Sequence, residues 1–339
     1  MEVRLSALSK FINACLRADQ VPYVISPPGC AKTAIVSQVA SDLNLPLFTL
    51  HAATIDPVDI LGLPTVGNNV TSWNNRPSIL PPADTPCLLF LDEAAQGPIM
   101  VQNVLAPLVN ERRAGPHRLH PKSRVVLASN REQDQCGTTR SPRQLLNRCI
   151  HAEVTINSED WFDWAMADDD SGKPRIAPEV TSFIRFKPSA LYENADTKAR
   201  AFPSLRTWHM LSDLIRANPD QSLWSMLACG AVGDGAGSEF MGYIRVYRDL
   251  PSTADIFANP ESAPVPEEPS ARFALLGSLA SQVTTKTMDA LLTYLDRIPG
   301  DFQVLAMKDV ARRDIKLLRA CPRALKWYGE NRDLLNEVK

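Results

Sequence analysis

The seven cysteines of this 339-residue chain are odd in number and include no C-x-x-C pair. Neither a disulfide framework nor a thiolate zinc site is expected, and a reducing compartment fits such usage. The five histidines fall at no metal-ligand spacing on a recognisable helix or strand. Strong charge of either sign is missing too. With a formal net charge of -2 and a pI near 6.2, no global basic field draws the chain to nucleic acid or an anionic membrane. Nothing approaches the roughly 18 apolar residues of a membrane span. The first residues, MEVRLSALSKFINACLRADQ, read as amphipathic rather than as a signal peptide, with Leu5, Leu8, Phe11, Ile12 and Leu16 on one helical face. No internal repeat is visible. The expectation is a soluble, cytoplasmic protein without membrane contact.

What is present is 45% hydrophobic residues, enough for two or three domains with cores of their own. Up to about residue 157, short apolar runs alternate with helical stretches, the pattern of a parallel sheet covered by helices. Candidate strands are Tyr23–Ile25, Leu47–Leu50, Cys87–Leu91, Arg124–Ala128 and His151–Ile156. Residues 158–258 read as a helical domain with the aromatic anchors Trp161, Trp164, Phe183, Phe186, Trp208 and Trp224. Glycine- and proline-rich stretches fill its last part, from about Gly230. Residues 259–270, within ANPESAPVPEEPS, read as a surface linker, and residues 271–339 as a further helical module.

Ligands of such sheets bind beyond the carboxyl ends of the strands, and there the sequence is unusual. ISPPGCAKTAIV follows the first candidate strand and nearly matches the phosphate-loop pattern G-x-x-x-x-G-K-[ST], with Ser26 and Ala31 at the two glycine positions. Lys32 would reach terminal phosphates and the Thr33 hydroxyl would hold Mg2+. The backbone from Pro28 through Gly29, Cys30 and Ala31 to Ala34 would cradle the anion. The Ala31 methyl costs little if its backbone keeps φ negative. The plainer alternative is a proline-rich turn with a surface lysine. In LLFLDEAAQ, a buried strand delivers Asp92, a magnesium ligand through water, and Glu93, a general base; a strand meeting a helix cap is its alternative. RVVLASN ends on Asn130, placed to orient a water or simply to form a turn. SPRQLLNRC carries Arg148, which in a ring would reach a neighbour's site, unless it is an ordinary surface arginine; Arg143 and Arg140 rival it. In FPSLRTW, Arg206 opens a helix and could fold onto the phosphates.

In this order, Ser-Pro-Pro-Gly-Cys-Ala-Lys-Thr, Leu-Asp-Glu, Ser-Asn, Asn-Arg-Cys and Ser-Leu-Arg resemble the AAA+ ATPases, and most of all their MoxR group, where alanine before the loop lysine is usual. The resemblance covers about residues 1–250. It implies an α/β P-loop domain, its parallel sheet sandwiched by helices, followed by an α-helical lid, with the C-terminal helices unaccounted for. It implies ATP and Mg2+ as cofactors, Arg148 acting in trans within a six-membered ring, and Arg206 acting in cis. It also implies chaperone-like remodelling or maturation of a partner, often a protein with a von Willebrand A domain.

Two insertions fit that group. His51–Trp73 contains a hairpin turn at Val66–Val70. Glu111–Arg124 forms a second hairpin turning at Ala114-Gly115-Pro116, basic through Arg112, Arg113, Arg118 and Lys122, with His117 and His120. It reads either as a pore element gripping an acidic or flexible segment or as a solvated turn, and it lacks the aromatic residue of a threading loop. Its charge lends support to the runner-up, a nucleic-acid motor or restriction-type NTPase. A nucleotide-dependent scaffold without hydrolysis is the third reading, favoured by Ser26 alone. Trp161 and Trp164, at i and i+3, are expected to pack a helix onto a core. Asp168-Asp169-Asp170 reads as an exposed loop, with a divalent-ion site as its alternative. Cys30 reads as structural, with a thiolate favoured by the helix N-terminus as its alternative.

Overall fold

The computed structural model describes residues 1–67, 70–74, 79–115, 117–134, 137, 141–169, 171–193, 199–218, 220–248 and 250–331. Asn68, Asn69, Pro116, Arg140 and Asp170 from the readings above lie outside them. The chain divides into two compact units, Met1–Ile156 and Asn157–Lys339.

In chain order the first unit contains β1 (Glu2–Arg4), α1 (Leu5–Arg17), β2 (Pro22–Ser26), α2 (Lys32–Asp42), β3 (Leu47–His51) and α3 (Pro57–Leu61). Then come the hairpin β4 (Leu63–Gly67) and β5 (Val70–Asn74), β6 (Leu88–Asp92), α4 (Ile99–Glu111) and the short hairpin β7 (Arg113–Ala114) and β8 (His117–Arg118). It closes with β9 (Arg124–Asn130), α5 (Arg143–Leu146) and β10 (Ile150–Thr155). Six strands form one parallel sheet in the order β1-β10-β2-β9-β6-β3. Alternate residues face opposite layers, as the pleat requires. Val24, Leu88, Phe90, Val126 and Ala128 pack with Leu8, Ile12 and Leu16 of α1 and Val36 and Val39 of α2. Tyr23, Leu89, Leu91, Val125 and Leu127 pack with Val101, Leu105 and Leu108 of α4 and Leu145 of α5. All five residues of β6 are buried, which is why it reads as an unbroken apolar run rather than an alternating one. Each fully buried Leu or Phe contributes about 1.5–3 kcal/mol.

One element at the start differs from expectation. Glu2–Arg4 is an edge strand paired with β10, and the amphipathic helix begins only at Leu5. A three-residue strand is too short for its alternation to be seen beside a strong helical period.

The second unit is helical: α6 (Ser158–Ala165), α7 (Pro178–Phe186), α8 (Leu205–Ala217), α9 (Trp224–Val232), α10 (Asp234–Arg248), α11 (Thr253–Ala258), α12 (Pro269–Gln282), α13 (Met288–Leu295), α14 (Gly300–Arg313), α15 (Ile315–Arg319) and α16 (Pro322–Glu330). The glycine-rich stretch after Gly230 is largely helix. A Cβ at Gly237 would stand 2.7 Å from the Cys229 backbone nitrogen, so glycine there permits α10 to approach α9.

The expected linker, 259–270, is tied down instead. The Pro264 carbonyl accepts from Tyr294 Oη (2.7 Å), Pro260 from Arg297 (2.8 Å) and Pro266 from Arg272 Nε (2.7 Å). Ala263 is buried in a core shared by Met166, Ile256 and the helices from α12 to α16. Prolines without N–H donors leave accepting carbonyls that arginine and tyrosine side chains satisfy. An ionic network adds to this. Arg185 of α7 pairs with the buried Asp309 of α14, and Arg312 of α14 pairs with Glu159 and, at 2.6 Å, with Asp163. Of the two tryptophans on α6, Trp161 is buried but Trp164 is 40% exposed, edge-on to His209 and beneath Arg175. Phe186, expected as an anchor, is also half exposed, whereas Phe183, Trp208 and Trp224 are buried.

Candidate functional site

The carboxyl ends of β2, β6 and β9 lie side by side, so the three motifs meet. Register places Ser26 opposite Asn130. Lys32, first residue of α2, donates from Nζ to Asn130 Oδ1 at 2.8 Å and to Ser26 Oγ at 3.0 Å. Thr33 Oγ1 donates to Asp92 Oδ2 at 3.2 Å. The other carboxylate oxygen of Asp92 accepts from the Glu93 backbone N–H at 2.9 Å, so the carboxylate is held at both oxygens while only 7% exposed. Just beyond Asn130, Arg131 and Asp134 form a two-point ion pair at 2.7 and 3.0 Å.

The loop between β2 and α2 departs from the sequence reading in two ways. Gly29 takes φ +75°, as a glycine can, but Ala31 also takes φ +56° and ψ +22°. The condition under which alanine would cost little is therefore not met; an L-residue in this region carries about 1–2 kcal/mol of strain. Glu93 is left-handed as well, at φ +56°. Strained residues cluster where geometry serves a site. The second departure concerns Ser26. It is the last residue of a strand, fully buried, and its hydroxyl donates to the Pro27 carbonyl at 2.9 Å while accepting from Lys32. A glycine's conformational freedom is not needed at that position.

Cys30 is buried, and burial pushes its thiol up to about 11, outweighing the pull of Lys32 and Arg131. The thiolate alternative is thereby overturned: desolvation of the charged form exceeds the benefit of the helix N-terminus. Thr33 Oγ1 and Asp92 Oδ2, two adjacent hard oxygens, suit Mg2+, and the loop's turn into α2 presents backbone N–H groups suited to phosphate. Among the described residues there is no cluster of three or more His, Cys, Asp or Glu side chains that could hold a metal unaided. A magnesium ion here would lean on phosphate and water for its remaining ligands.

Arg148 is exposed just before β10, and with Arg143, Asn147 and His151 it lines an open concavity of about 760 Å³. None of Lys32, Thr33 and Asp92 lines that surface. Arg206 is exposed in the first turn of α8, behind the Ser204 cap. In the second hairpin, Arg112 is bound to the end of its own helix at Val109 and to Asp19 at 3.2 Å, and His117 bonds the Pro81 carbonyl at 3.0 Å. Both are thus structural, whereas Arg118 and Lys122 are exposed. Strands β4 and β5 form the first hairpin, with Val66 and Val70 exposed beside its turn. Asp169 accepts from the Ser171 hydroxyl and N–H and from the Lys173 N–H, organising its own loop; Asp168 pairs with Arg313 at 3.0 Å.

The arrangement, a lysine and threonine opening a helix beside a strand-borne Asp-Glu pair and an asparagine, is that of an AAA P-loop fold with a helical C-terminal region. Residues 24–149, a little over a third of the chain, match the model of an AAA domain of the dynein-related subfamily. No curated protein matches in sequence. Among solved structures the chain is similar to NtrX from Brucella abortus, at 17% identity and TM-score 0.40, covering 98% of this chain and 67% of that one. It is also similar to a RuvB point mutant from Thermotoga maritima, at 15% identity and TM-score 0.39, covering 86% and 88%. The RuvB Holliday junction branch migration motor of the same organism follows at 13% and 0.36, with 86% of each chain covered. Likenesses this distant carry no inference about substrate or mechanism. Among the described residues no helix is long and apolar enough to cross a membrane.

Proposed function

We propose that the protein is an ATP-hydrolysing AAA+ ATPase of MoxR-like type, assembling as a six-membered ring that remodels or matures a partner protein. The observation that carries the nucleotide chemistry is the pairing, at the ends of neighbouring strands, of Lys32 with Asn130 and of Thr33 with Asp92, each at hydrogen-bonding distance. Lys32 would bind terminal phosphates, and Thr33 and Asp92 would hold Mg2+, which when bound neutralises phosphate charge. Glu93 would take the proton of the attacking water, and Asn130, once Lys32 turns to phosphate, would orient that water. Arg148, exposed on the first unit, would act in a neighbour's site; that role, and a role in cis for Arg206, follow from the family resemblance. The ring, and a von Willebrand A protein as partner, follow from the family resemblance.

Steady-state ATP hydrolysis across a protein concentration series, with mass photometry on the same samples, tests this. Specific activity should rise with assembly. Glu93→Gln should lose about 10²–10⁴-fold in turnover while still assembling with ATP, and Arg148→Ala about 10³–10⁵-fold. Assembly with ATP but without turnover would instead support the scaffold reading. Absence of both binding and assembly refutes the proposal. The exposed Arg118 and Lys122 favour, as second reading, a nucleic-acid motor. Salt-dependent DNA binding lost in Arg118→Glu/Lys122→Glu would establish it.

A further inference from the structure

Resting on that nucleotide-site reading, we propose that Ser26 is a positioning residue for Lys32. It would act as a fixed acceptor that, with Asn130, holds the ammonium group at the mouth of the phosphate loop before nucleotide arrives. The phosphate-loop pattern has no side chain here, because its first position is glycine. In this chain the position is the buried end of β2, facing Asn130 across the β2–β9 register. The Ser26 hydroxyl spends its proton on the Pro27 carbonyl at 2.9 Å, which turns its lone pairs toward Lys32 Nζ at 3.0 Å. Asn130 Oδ1 receives a second ammonium proton at 2.8 Å.

A lysine side chain carries close to 2 kcal/mol of rotamer freedom. Two fixed acceptors remove much of that before binding, so less is lost when phosphate engages the ammonium group. Phosphate then has Lys32 already in the loop, and Ser26 can keep its bond as Asn130 is released toward the water. Because Ser26 steadies Lys32 equally in the bound ground state and the transition state, its contribution should show in KM and nucleotide affinity rather than in kcat.

The test compares wild type, Ser26→Ala and Ser26→Gly by fluorescent ATP-analogue titration and steady-state hydrolysis, with thermal unfolding of each in the absence of nucleotide. Loss of one such bond predicts affinity weakened by about 3- to 10-fold, with KM raised alike and kcat within about 2-fold of wild type. Ser26→Cys keeps the shape but accepts hydrogen bonds weakly, and it should show the same loss should the smaller variants unfold. Ser26→Thr, retaining the hydroxyl, should restore affinity. Equal or tighter binding by a folded Ser26→Gly protein overturns the assignment, as does a loss confined to kcat. Failure of the wild type itself to bind the analogue refutes the nucleotide site instead, which keeps the two failures distinguishable.

Discussion

Replacing Ala31, the N-cap residue of α2, by glycine should stabilise the first unit, the reverse of what the same exchange does inside a helix. Ala31 sits at φ +56° and ψ +22°, immediately before Lys32. Its Cβ crowds the following carbonyl, a cost of about 1–2 kcal/mol that glycine does not bear. Glycine also loosens the unfolded chain, which subtracts about 0.4–1 kcal/mol. The net gain is about 0.8 kcal/mol from the midpoints of these ranges, with extremes of about 0 and 1.6 kcal/mol. For a unit of this size each kcal/mol moves the midpoint by about 2–4 °C, so Tm should rise by about 1–4 °C. Differential scanning calorimetry without nucleotide reads it, and urea unfolding with unchanged m checks that the denatured state is the same. Ala31→Val should move the other way by more than about 1 kcal/mol, since a β-branched residue is a severe outlier at positive φ. Destabilisation by glycine, or tolerance of valine, would refute the claim that strain is stored at this position.

The buried pair of Arg185 and Asp309 has side chains 9% and 6% exposed. Asp309→Ala should therefore cost about 3–5 kcal/mol in chemical denaturation by leaving Arg185 unpaired, while Arg185→Met/Asp309→Leu should recover most of it; a single-variant cost below about 1 kcal/mol would contradict this. Native Cys30, its thiol pushed up to about 11, should resist 4,4′-dithiodipyridine at pH 7.5, where about 0.03% is thiolate against about 9% for an ordinary thiol. The half-buried Cys229 should label before it, and Cys30 labelling should rise only as pH approaches 11. Fast labelling of Cys30 near neutrality would show that the loop opens.

Much of the first unit was legible in the sequence because its signals are local. The apolar runs Leu88–Leu91 and Val125–Ala128, each ended by a polar residue, are the pattern of strands buried on both faces. The order of loop lysine, Asp-Glu and Asn points to nucleotide chemistry before any coordinates. Trp164 was misread, and the 259–270 segment, on the surface as expected, is more firmly held than its composition suggests, because the fate of both depends on what stands opposite. A tryptophan at i+3 is buried only if a helix covers it, and a proline-rich run is a linker only if no arginine or tyrosine reaches its carbonyls. By itself, the sequence determined the strand and helix pattern, the sandwiched sheet and the residue types of the site. Tertiary structure alone decided that Ala31 must turn left-handed, that Ser26 and Asn130 share Lys32, that burial silences Cys30, and that Asp309 binds α14 to α7. The sharing of Lys32 with Asn130, the burial of Cys30 and the Asp309 pair arise where chain segments distant in sequence are brought within a few ångströms and into low dielectric, and no local pattern encodes such neighbours.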